Sequence, residues 1–464
     1  MSTSPNTDPG TGDQAAGELP LYERPSLVRH QMGQMNKFGR AQGVRPLTHI
    51  DDVAVEELVA KFGSPLFVFS EKTLIARYRE LHQAFSRRYP KVRIAWSYKT
   101  NYLQAICRVF HREGAWAEVV SPMEFDKARR TGIPADHIHF NGPFKPDDAL
   151  AEAVQGEALL HIDNLDELVR LERLADRLGV RPRVAIRVNL AVEGLPAWSR
   201  FGLNLESGQA REAAVRIIAG GKLDLVGLHC HIGTFIVAPV AYGIASAKLV
   251  DFANQLKREF GLKLSFLDMG GGFASRNTLR EQYLSGDQGS PPFERYADAI
   301  CDSLAALDYP PTELPTLVLE TGRALVDDAG YLISSVVASK RLPDGRRGLV
   351  IDAGVNLLFT AFWYKHDVLP AQATPGTQES TVIYGPLCMN IDVMRDAVQM
   401  PPLGVGERLV FRNVGAYNVT QWMQFITLRP AVVMIESGGR VATIRRAEKL
   451  SDLESLEEVP DWLR

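Results

Sequence analysis

The chain has 464 residues, a formal net charge of −3, and a composition of 45% hydrophobic and 23% charged residues. This length exceeds one ordinary hydrophobic core, so two or more domains are expected. The weak net charge gives no general reason to expect a nucleic acid or an anionic membrane as partner, and no run approaches the ~18 apolar residues of a membrane span. Four scattered cysteines without a CxxC pair argue against a disulfide framework or a zinc site and favour a reducing, cytoplasmic compartment.

The two ends of the chain are predicted to be tails. Residues 1–20 are rich in Ser, Thr, Pro, Gly and Asp and lack the apolar stretch of a signal peptide, so residues 1–40 are expected to be disordered or extended. Residues 451–464 form an acidic C-terminal tail, for which a solvated surface is favoured over a partner site.

Alternating strand and helix patterns fill residues 70–330. Short apolar runs alternate there with longer segments of helical period. Eight such runs recur: 93–99, 116–120, 138–142, 159–163, 183–189, 225–233, 266–272 and 316–322. Eight strand–helix units in roughly 230 residues match a (β/α)8 barrel of ~250 residues. An open, doubly wound sheet is the alternative.

Several of the intervening segments show the features of helices. Segment 101–114 is apolar on one face, and segments 123–132, 164–179 and 242–261 have the same period. Each ends in glycine, so these glycines are predicted C-terminal caps.

After Gly330 the period changes to that of strands and hairpins with Asp-Gly and Gly-Gly turns. No long helical pattern interrupts residues 331–450, so we expect an all-β barrel or sandwich domain there, to which residues 41–69 also contribute. The predicted fold class is therefore α/β: a TIM barrel followed by a C-terminal β domain.

Polar residues and a glycine run collect at the ends of the predicted strands, where a barrel places its chemistry. Polar groups buried there must be paired or used. They are Lys99, Glu118, Asn141, Asp163, Arg187 with Asn189, His231, Gly270 to Gly272, and Glu320 with Arg323. Lys99 is either an ion-paired lysine or an amine held in a partly desolvated pocket to react with a carbonyl group.

Two motifs indicate how an anion and a flat ring are held. The glycines of LDMGGGF let backbone N–H groups approach a phosphate, although a tight barrel turn needs the same residues, and neither a Walker loop nor a dinucleotide fingerprint is present. In LHCHIGT, His229 and His231 lie on one side of a strand, with Thr234 beyond. No further metal ligands are evident, so no metal site is predicted and an imidazole stacked on an aromatic cofactor is favoured.

The last run ends in LETGR, with Glu320 three residues before Arg323. A structural ion pair is one interpretation. The other is that the carboxylate keeps a pyridine nitrogen protonated while the guanidinium binds a phosphate or carboxylate. Together with Lys99, the glycines and His231, this order of residues predicts a pocket for pyridoxal 5'-phosphate.

The sequence resembles the fold-type III pyridoxal-phosphate decarboxylases, the group of diaminopimelate, ornithine and arginine decarboxylases, which is distantly similar to alanine racemase. The resemblance spans residues 45–450 and rests on the motifs YKTN, EVVSPMEF, FNGPFKP, RVN, SRFGL, GLHCHIGT, LDMGGGF, ETGR, GPLCMNID and GAYN.

The resemblance implies a role for each matching residue. It places Lys99 on the cofactor aldehyde, His231 on the ring face and Glu320 at the pyridine nitrogen. The other cofactor contacts that it implies are Thr234, Gly270, Gly271, Gly272 and Tyr417 at the phosphate, Arg323 beside it or on the substrate carboxylate, and Glu118 and Arg187 below the ring. It also implies a homodimer in which Cys388 reaches the partner's pocket and protonates the substrate carbon, a role that suits a thiol protonated at neutral pH.

The chain departs from the family at the far end of the substrate pocket. Diaminopimelate decarboxylases follow the cysteine with a glutamate that holds the distal amine, and ornithine decarboxylases use an aspartate, whereas this chain has Met389. A family arginine is replaced by Thr360. The predicted substrate contacts are Arg323, Tyr364, Met389, Asn390 and Asp392.

These departures predict decarboxylation of a modified or conjugated amino acid in a biosynthetic pathway rather than of meso-diaminopimelate. An ornithine or lysine decarboxylase, including one for D-amino acids, stays open. A racemase or epimerase is a further alternative, although such enzymes typically place Arg where this chain has Glu320. A non-catalytic binder would usually lack Lys99 or Cys388. The polar loop 275–292 is either a lid or a solvated loop.

Overall fold

The computed structural model describes residues 44–196 and 198–464, so the predicted N-terminal tail, residues 1–40, lies outside the described residues. The strands are β1 (His49–Ile50), β2 (Val53–Ala54), β3 (Leu66–Ser70), β4 (Val92–Ser97), β5 (Trp116–Val119), β6 (Ile138–Phe140), β7 (Leu159–Ile162), β8 (Arg183–Asn189), β9 (Leu203–Asn204), β10 (Asp224–Cys230), β11 (Phe266–Asp268), β12 (Thr316–Leu319), β13 (Gly330–Arg341), β14 (Arg347–Ile351), β15 (Val368–Pro370), β16 (Glu379–Tyr384), β17 (Val393–Met400), β18 (Arg408–Arg412), β19 (Val432–Ile435) and β20 (Val441–Arg445). The α-helices are α1 (Val55–Phe62), α2 (Glu71–Ser86), α3 (Gln104–Arg112), α4 (Pro122–Thr131), α5 (Asp147–Gln155), α6 (Leu165–Leu178), α7 (Gln209–Gly220), α8 (Pro239–Phe260), α9 (Gly286–Gly289), α10 (Phe293–Leu304), α11 (Arg323–Val326) and α12 (Leu450–Glu454).

Eight parallel strands close into a barrel. Neighbours pair in the order β4, β5, β6, β7, β8, β10, β11, β12, and β12 pairs back to β4. The two-residue strand β9 pairs only with β8 and lies outside this ring. Each of the eight runs predicted from the sequence overlaps one barrel strand. The closure confirms the (β/α)8 barrel and excludes the open, doubly wound sheet.

The barrel helices begin and end at residues suited to these positions. Ser121 and Asn164 accept hydrogen bonds from backbone N–H groups in the first turns of α4 and α6. Gly132, Gly179 and Gly261 follow α4, α6 and α8 in the left-handed conformation, as the sequence predicts. These caps fix where each connection returns to the next strand.

Nine further strands form a second sheet, while β1 and β2 pair with each other in a separate two-stranded sheet. The main path of the nine-stranded sheet runs β17, β16, β14, β13, β3, β19, β20, and β18 pairs with both β13 and β15. Strand β3, which precedes the barrel in sequence, pairs antiparallel with β13 and parallel with β19. The mixed barrel and all-β architecture predicted from the sequence is therefore confirmed.

One loop of this second sheet region lies against the barrel mouth beside Lys99. The Tyr417 N–H donates to the Thr100 carbonyl at 2.8 Å, and the Thr420 hydroxyl donates to the Lys99 carbonyl at 3.0 Å. Tyr417 itself has a φ of +64°, a conformation that is uncommon for a bulky residue. The loop 415–420 is thus held over the C-terminal end of β4.

The chain ends in a short, exposed segment. Residues 451–464, predicted as an acidic tail, contain most of α12 and a 3-10 turn at Asp461–Leu463. None of the helices in residues 44–196 and 198–464 has both the length and the apolar character to cross a membrane.

Candidate active site

Lys99 lies just after β4, in a 3-10 turn that spans Tyr98–Thr100. Its Nζ donates to Glu118 Oε2 at 2.5 Å, and the Ser97 hydroxyl donates to the same oxygen at 2.6 Å. Desolvation alone would lower the pKa of Lys99, but the carboxylates of Glu118 and Glu320 outweigh it and raise that pKa above its usual value. The amine is therefore an ammonium group until a reaction partner arrives.

Glu320, at the end of β12, is the second carboxylate of the site. Asn141 Nδ2 donates to Glu320 Oε1 at 2.6 Å, and His229 Nε2 lies 3.2 Å from Oε2. Burial would raise the pKa of Glu320, but His229, His161 and Lys99 hold it well below its usual value. The carboxylate is therefore ionised inside the barrel, as a partner for a protonated nitrogen must be.

His231 follows β10 and faces the glycine loop. Its Nδ1 accepts a hydrogen bond from the Gly271 N–H at 3.1 Å. Burial, together with the positive charges of Arg187 and Lys99, lowers the pKa of His231 to about 3. The imidazole is neutral, and its ring centroid lies 5.7 Å from that of Trp198.

The glycine run after β11 packs directly on the neighbouring strand ends. A Cβ on Gly271 would lie 2.4 Å from the Glu320 carbonyl oxygen, and one on Gly272 would lie 2.2 Å from the Gly233 carbonyl oxygen. Gly270 and Gly272 also have φ values of +64° and +95°. No other residue allows this turn, so the glycines bring backbone to the barrel mouth at close range.

Arg323 is buried in a box of aromatic rings at the mouth. Its guanidinium carbon lies 5.9 Å, 4.9 Å and 4.7 Å from the ring centroids of Phe235, Tyr364 and Tyr417. Within the described residues, its Nε and Nη1 are buried without a hydrogen-bond acceptor, and Asp327 Oδ2 is 3.6 Å from Nη1. These two buried N–H groups thus lack a hydrogen bond, although Asp327 supplies a nearby counter-charge, and they can bind an anion.

Arg187 and Thr234 occupy the edge of the site. Arg187 Nη1 lies 3.3 Å from Asp163 Oδ1, and its guanidinium lies 4.5 Å from the Phe201 ring. Arg187 is near enough to His231 to affect its titration. Thr234 is exposed in the loop after β10.

The loop that joins β16 to β17 carries Cys388. Cys388 and Asn390 are exposed, and Met389 is half-buried against the hydrophobic core. Asp392 is 3% exposed, and its two oxygens accept the N–H groups of Val355 and Leu387, each at 2.8 Å. Because these oxygens face the turn, we assign Asp392 to holding the loop and withdraw it from the predicted substrate contacts.

The segment 275–292 is attached to the second sheet region. Leu279 forms an antiparallel bridge with Tyr364, and the Arg280 N–H donates to the Trp363 carbonyl at 2.9 Å. Asp327 accepts the Ser275 hydroxyl at 2.6 Å and the Asn277 amide at 3.0 Å. These contacts place the segment beside Tyr364, one of the predicted substrate contacts.

Thr360 does not offer its hydroxyl to the pocket. It is 1% exposed, and its Oγ1 lies 2.8 Å from His366 Nε2 and donates to Asn418 Oδ1 at 2.9 Å. This hydroxyl is committed to the interior of the second sheet region and does not replace the charge of a guanidinium.

A layer of titratable groups fills the barrel below Glu320. Donor atoms of His161, His229, Asp268 and Glu320 lie within 4.8 Å of one another, a spacing that could hold a metal ion. Burial, followed by the nearby Glu320 carboxylate, raises the pKa of Asp268 well above its usual value, so this group is a neutral acid. Glu320 accepts a hydrogen bond from Asn141. A bound cation would have to displace both the proton of Asp268 and this hydrogen bond. We therefore treat the layer as support for Glu320; the sequence prediction of no metal site stays a prediction.

This set of groups fits pyridoxal phosphate. An amine, a neutral flat imidazole, an ionised buried carboxylate and two buried guanidinium N–H groups without a hydrogen bond meet at one barrel mouth. They match an aldehyde, an aromatic ring, a ring nitrogen and a phosphate respectively. The sequence predicted all four groups. It marked Asn141 only as a polar residue at a strand end and gave it no role. It did not mark Asp327, whose only signal was its place after LETGR.

Comparisons with known proteins agree with this assignment. Residues 74–327 match the pyridoxal binding domain of the pyridoxal-dependent decarboxylases. Diaminopimelate decarboxylase of Methanocaldococcus jannaschii is 31% identical over 432 residues, which cover 89% of this chain and 95% of the relative. Diaminopimelate decarboxylase of Bacillus subtilis is 27% identical over 444 residues, which cover 93% and 98%.

The fold agrees as well. The crystal structure of the M. jannaschii diaminopimelate decarboxylase in complex with L-lysine superposes with a TM-score of 0.82 at 29% identity and covers 91% of this chain and 99% of that chain. Pyridoxal phosphate is thus the cofactor, and an amino acid is the substrate. The chain belongs to the pyridoxal-phosphate-dependent decarboxylases of fold-type III and is a carboxy-lyase.

Proposed function

We propose that this enzyme removes carbon dioxide from a modified or conjugated amino acid rather than from meso-diaminopimelate. The observation that carries the proposal is Met389. In diaminopimelate decarboxylases a glutamate at this position holds the distal amine of the substrate. A thioether cannot pair with an ammonium group, so a free distal charge would be desolvated there without compensation.

Thr360 supports the same conclusion. It stands where the family has an arginine, and its hydroxyl is bonded to Asn418 and lies against His366. The far end of the pocket has therefore lost one negative and one positive group. A substrate whose distant end is acylated or otherwise neutralised fits such a surface better than one with a free amino acid group.

Several residues of the barrel mouth have proposed roles toward the cofactor. Bound pyridoxal phosphate supplies an aldehyde for the substrate amine and a ring that accepts the electron pair left when carbon dioxide departs. Lys99 presents the amine that holds the aldehyde, with Glu118 beside it. The ionised Glu320 would keep a proton on the ring nitrogen, and the neutral His231 would cover one ring face. Arg187, whose charge helps to lower the pKa of His231, would lie below the ring.

The phosphate is assigned to the other side of the mouth. The Arg323 N–H groups, the backbone of Gly270 to Gly272 and the side chain of Tyr417 are its proposed ligands, with Thr234 at the rim. Arg323 is fixed between aromatic rings, so it can bind an anion with little further loss of side-chain freedom. Tyr364, also in that box, and the exposed Asn390 are the proposed substrate contacts.

Cys388 is proposed as the acid that returns a proton to the substrate carbon. Cys388 is exposed in the single chain. Its loop is anchored through Asp392, which accepts the Val355 N–H. A head-to-tail homodimer would bring Cys388 of one protomer to the Lys99 site of its partner. Its position on the surface supports this arrangement.

The test is a carbon-dioxide release screen with added cofactor. Substrates are meso-diaminopimelate, L- and D-ornithine, L- and D-lysine, and N-acylated or otherwise conjugated diamino acids. We expect turnover of a conjugate to exceed that of every free diamino acid. Ordinary turnover of meso-diaminopimelate would overturn the proposal, and preferred turnover of ornithine or lysine would replace it with the simpler decarboxylase.

A matched pair of variants tests Met389 itself. Met389→Glu restores the family carboxylate and should raise kcat/KM on meso-diaminopimelate by about tenfold or more, since a charged hydrogen bond is worth ~1.5–3 kcal/mol. Met389→Gln introduces a side chain with the shape of glutamate but without its charge, and it should leave this activity near the wild-type level. Equal effects of the two variants would remove Met389 from the argument.

A further inference from the structure

Asn141 occupies a fixed position at the end of β6. Its backbone N–H donates to the Val119 carbonyl at 2.8 Å, and the next residue, Gly142, has a φ of +101°. A Cβ on Gly142 would lie 2.7 Å from the Val120 carbonyl oxygen, so this turn packs tightly on β5. The Asn141 side chain is 2% exposed.

The Asn141 amide touches both carboxylates of the site. Its Nδ2 donates to Glu118 Oε1 at 3.1 Å and to Glu320 Oε1 at 2.6 Å. An amide NH2 group has two hydrogens, one for each acceptor. The remaining oxygen of Glu118 binds Lys99, at 2.5 Å. An unbroken chain of contacts therefore runs from the Lys99 amine through Asn141 to Glu320.

We propose that Asn141 is a positioning residue that links the carboxylate beside the reactive lysine to the carboxylate assigned to the ring nitrogen, and holds Glu320 aimed at that nitrogen. The inference deepens the proposed function and rests on its placement of Glu320. Each glutamate has one oxygen held by the same neutral donor.

The chemistry of the position requires a neutral double donor. An aspartate at 141 would add a third carboxylate next to two others, and an aliphatic residue would leave both without this donor. Glu320 is ionised despite its burial, and a hydrogen bond to the charged form favours that form. Loss of the donor should therefore make Glu320 easier to protonate.

Other titratable groups surround Glu320, and they are the same in wild type and in the Asn141 variants. They come from six other strands or strand ends and are Lys99, Glu118, His139, His161, His229, His231 and Asp268. The phosphate of the cofactor also titrates near neutral pH. The informative quantity is thus the difference between variant and wild type, not the profile of either.

The experiment measures cofactor binding by the purified apoprotein as a function of pH. Wild type and Asn141→Leu are titrated with pyridoxal phosphate and with its analogue that has carbon in place of the ring nitrogen. Below neutral pH, binding of pyridoxal phosphate should weaken at a midpoint about one pH unit higher in Asn141→Leu than in wild type. The analogue needs no carboxylate and should show no such shift.

Asn254→Leu is the matched control. Asn254 is also buried, donates to the Ala306 carbonyl at 2.9 Å and accepts the Asp308 N–H at 2.8 Å, but it lies on α8 away from the carboxylates. It should keep the wild-type midpoint with both ligands. Asn141→Asp preserves the shape and replaces the donor by an acceptor, so it should move the midpoint at least as far as Asn141→Leu and serves if the leucine variant does not fold.

Failure of the inference and failure of the proposed function give different results in this experiment. An unchanged midpoint in a folded Asn141 variant, an equal loss of both ligands, or failure of both Asn141 variants to fold would give the residue a structural role and overturn the inference. If the wild-type protein bound the analogue as strongly as pyridoxal phosphate at every pH, Glu320 would not serve the ring nitrogen and the proposed function would need revision instead.

Discussion

Buried carboxyl groups at this barrel mouth have different charges because their neighbours differ. Glu320 has His229, His161 and Lys99 around it, and its pKa lies well below the usual value despite burial. Asp268 is buried next to the Glu320 carboxylate, and its pKa lies well above the usual value. One ionised and one neutral acid thus stand side by side, and only Glu320 can pair with a protonated nitrogen.

Asp327 gives a prediction about pH and stability. Burial raises its pKa from 3.8 to about 6, against the opposing effect of Arg323. The folded state therefore binds this proton more tightly than the unfolded chain, so the contribution to stability is present below about pH 4 and is lost as the pH rises to about 6. Between pH 4 and pH 7 the free energy of unfolding of wild type should fall relative to that of Asp327→Asn by about 2–3 kcal/mol.

Denaturant unfolding of both proteins at several pH values measures this difference. Asp344→Asn, at an exposed turn, is the control and should leave the pH dependence between pH 5 and pH 7 unchanged. A constant difference between wild type and Asp327→Asn across the range would show that Asp327 does not titrate there.

Cys388 gives the second prediction at this scale. Cys388→Ala should keep the absorbance of the bound cofactor, because Lys99 and not Cys388 is proposed to hold the aldehyde, and should slow product formation by about 10²-fold, the usual range for a lost general acid. Stopped-flow absorbance with a turned-over substrate separates the two effects. Wild-type rates in the variant would end the assignment of Cys388 as acid.

At the scale of elements, the turn after β11 decides whether the phosphate side of the mouth can form. Gly272→Ala would place a methyl group 2.2 Å from the Gly233 carbonyl oxygen at a φ of +95°. We expect a loss of about 2 kcal/mol or more in unfolding free energy, together with weaker cofactor binding.

Gly438→Ala is the control for this change, since no heavy atom lies within 4 Å of the added Cβ. It should alter unfolding free energy by less than about 0.5 kcal/mol. Equal stability of the two variants in denaturant unfolding would contradict the close packing described for the glycine turn.

The sequence predicted elements better than it predicted contacts. Periodicity located all eight barrel strands because each is a short buried run between helices, several of which end at glycine. It also marked Lys99, His231 and Glu320, because a polar residue at a strand end is visible in one dimension. The shared donor at Asn141 was not visible, since it depends on two carboxylates 23 and 179 residues away. The burial of the Asp392 carboxylate depends likewise on Val355, 37 residues distant.

At the scale of the whole molecule, the proposed homodimer predicts complementation. A Lys99→Ala protomer and a Cys388→Ala protomer would form one intact site when paired, because each supplies what the other lacks. If half of the dimers in an equal mixture are hybrids with one intact site each, about a quarter of wild-type activity should return. The test is to unfold and refold the two variants together and to compare the activity with that of each variant refolded alone. If no activity returned, Cys388 and Lys99 would belong to the same chain's site, or one of them would not belong to the site.

The account depends most directly on Lys99 as the residue that holds the cofactor. Borohydride reduction of the purified, cofactor-loaded protein fixes pyridoxal phosphate on the lysine that carries it, and peptide mapping by mass spectrometry identifies that lysine. We predict a single labelled site at Lys99, lost in Lys99→Ala. A label on another lysine, or none in a protein that binds the cofactor, would contradict the account.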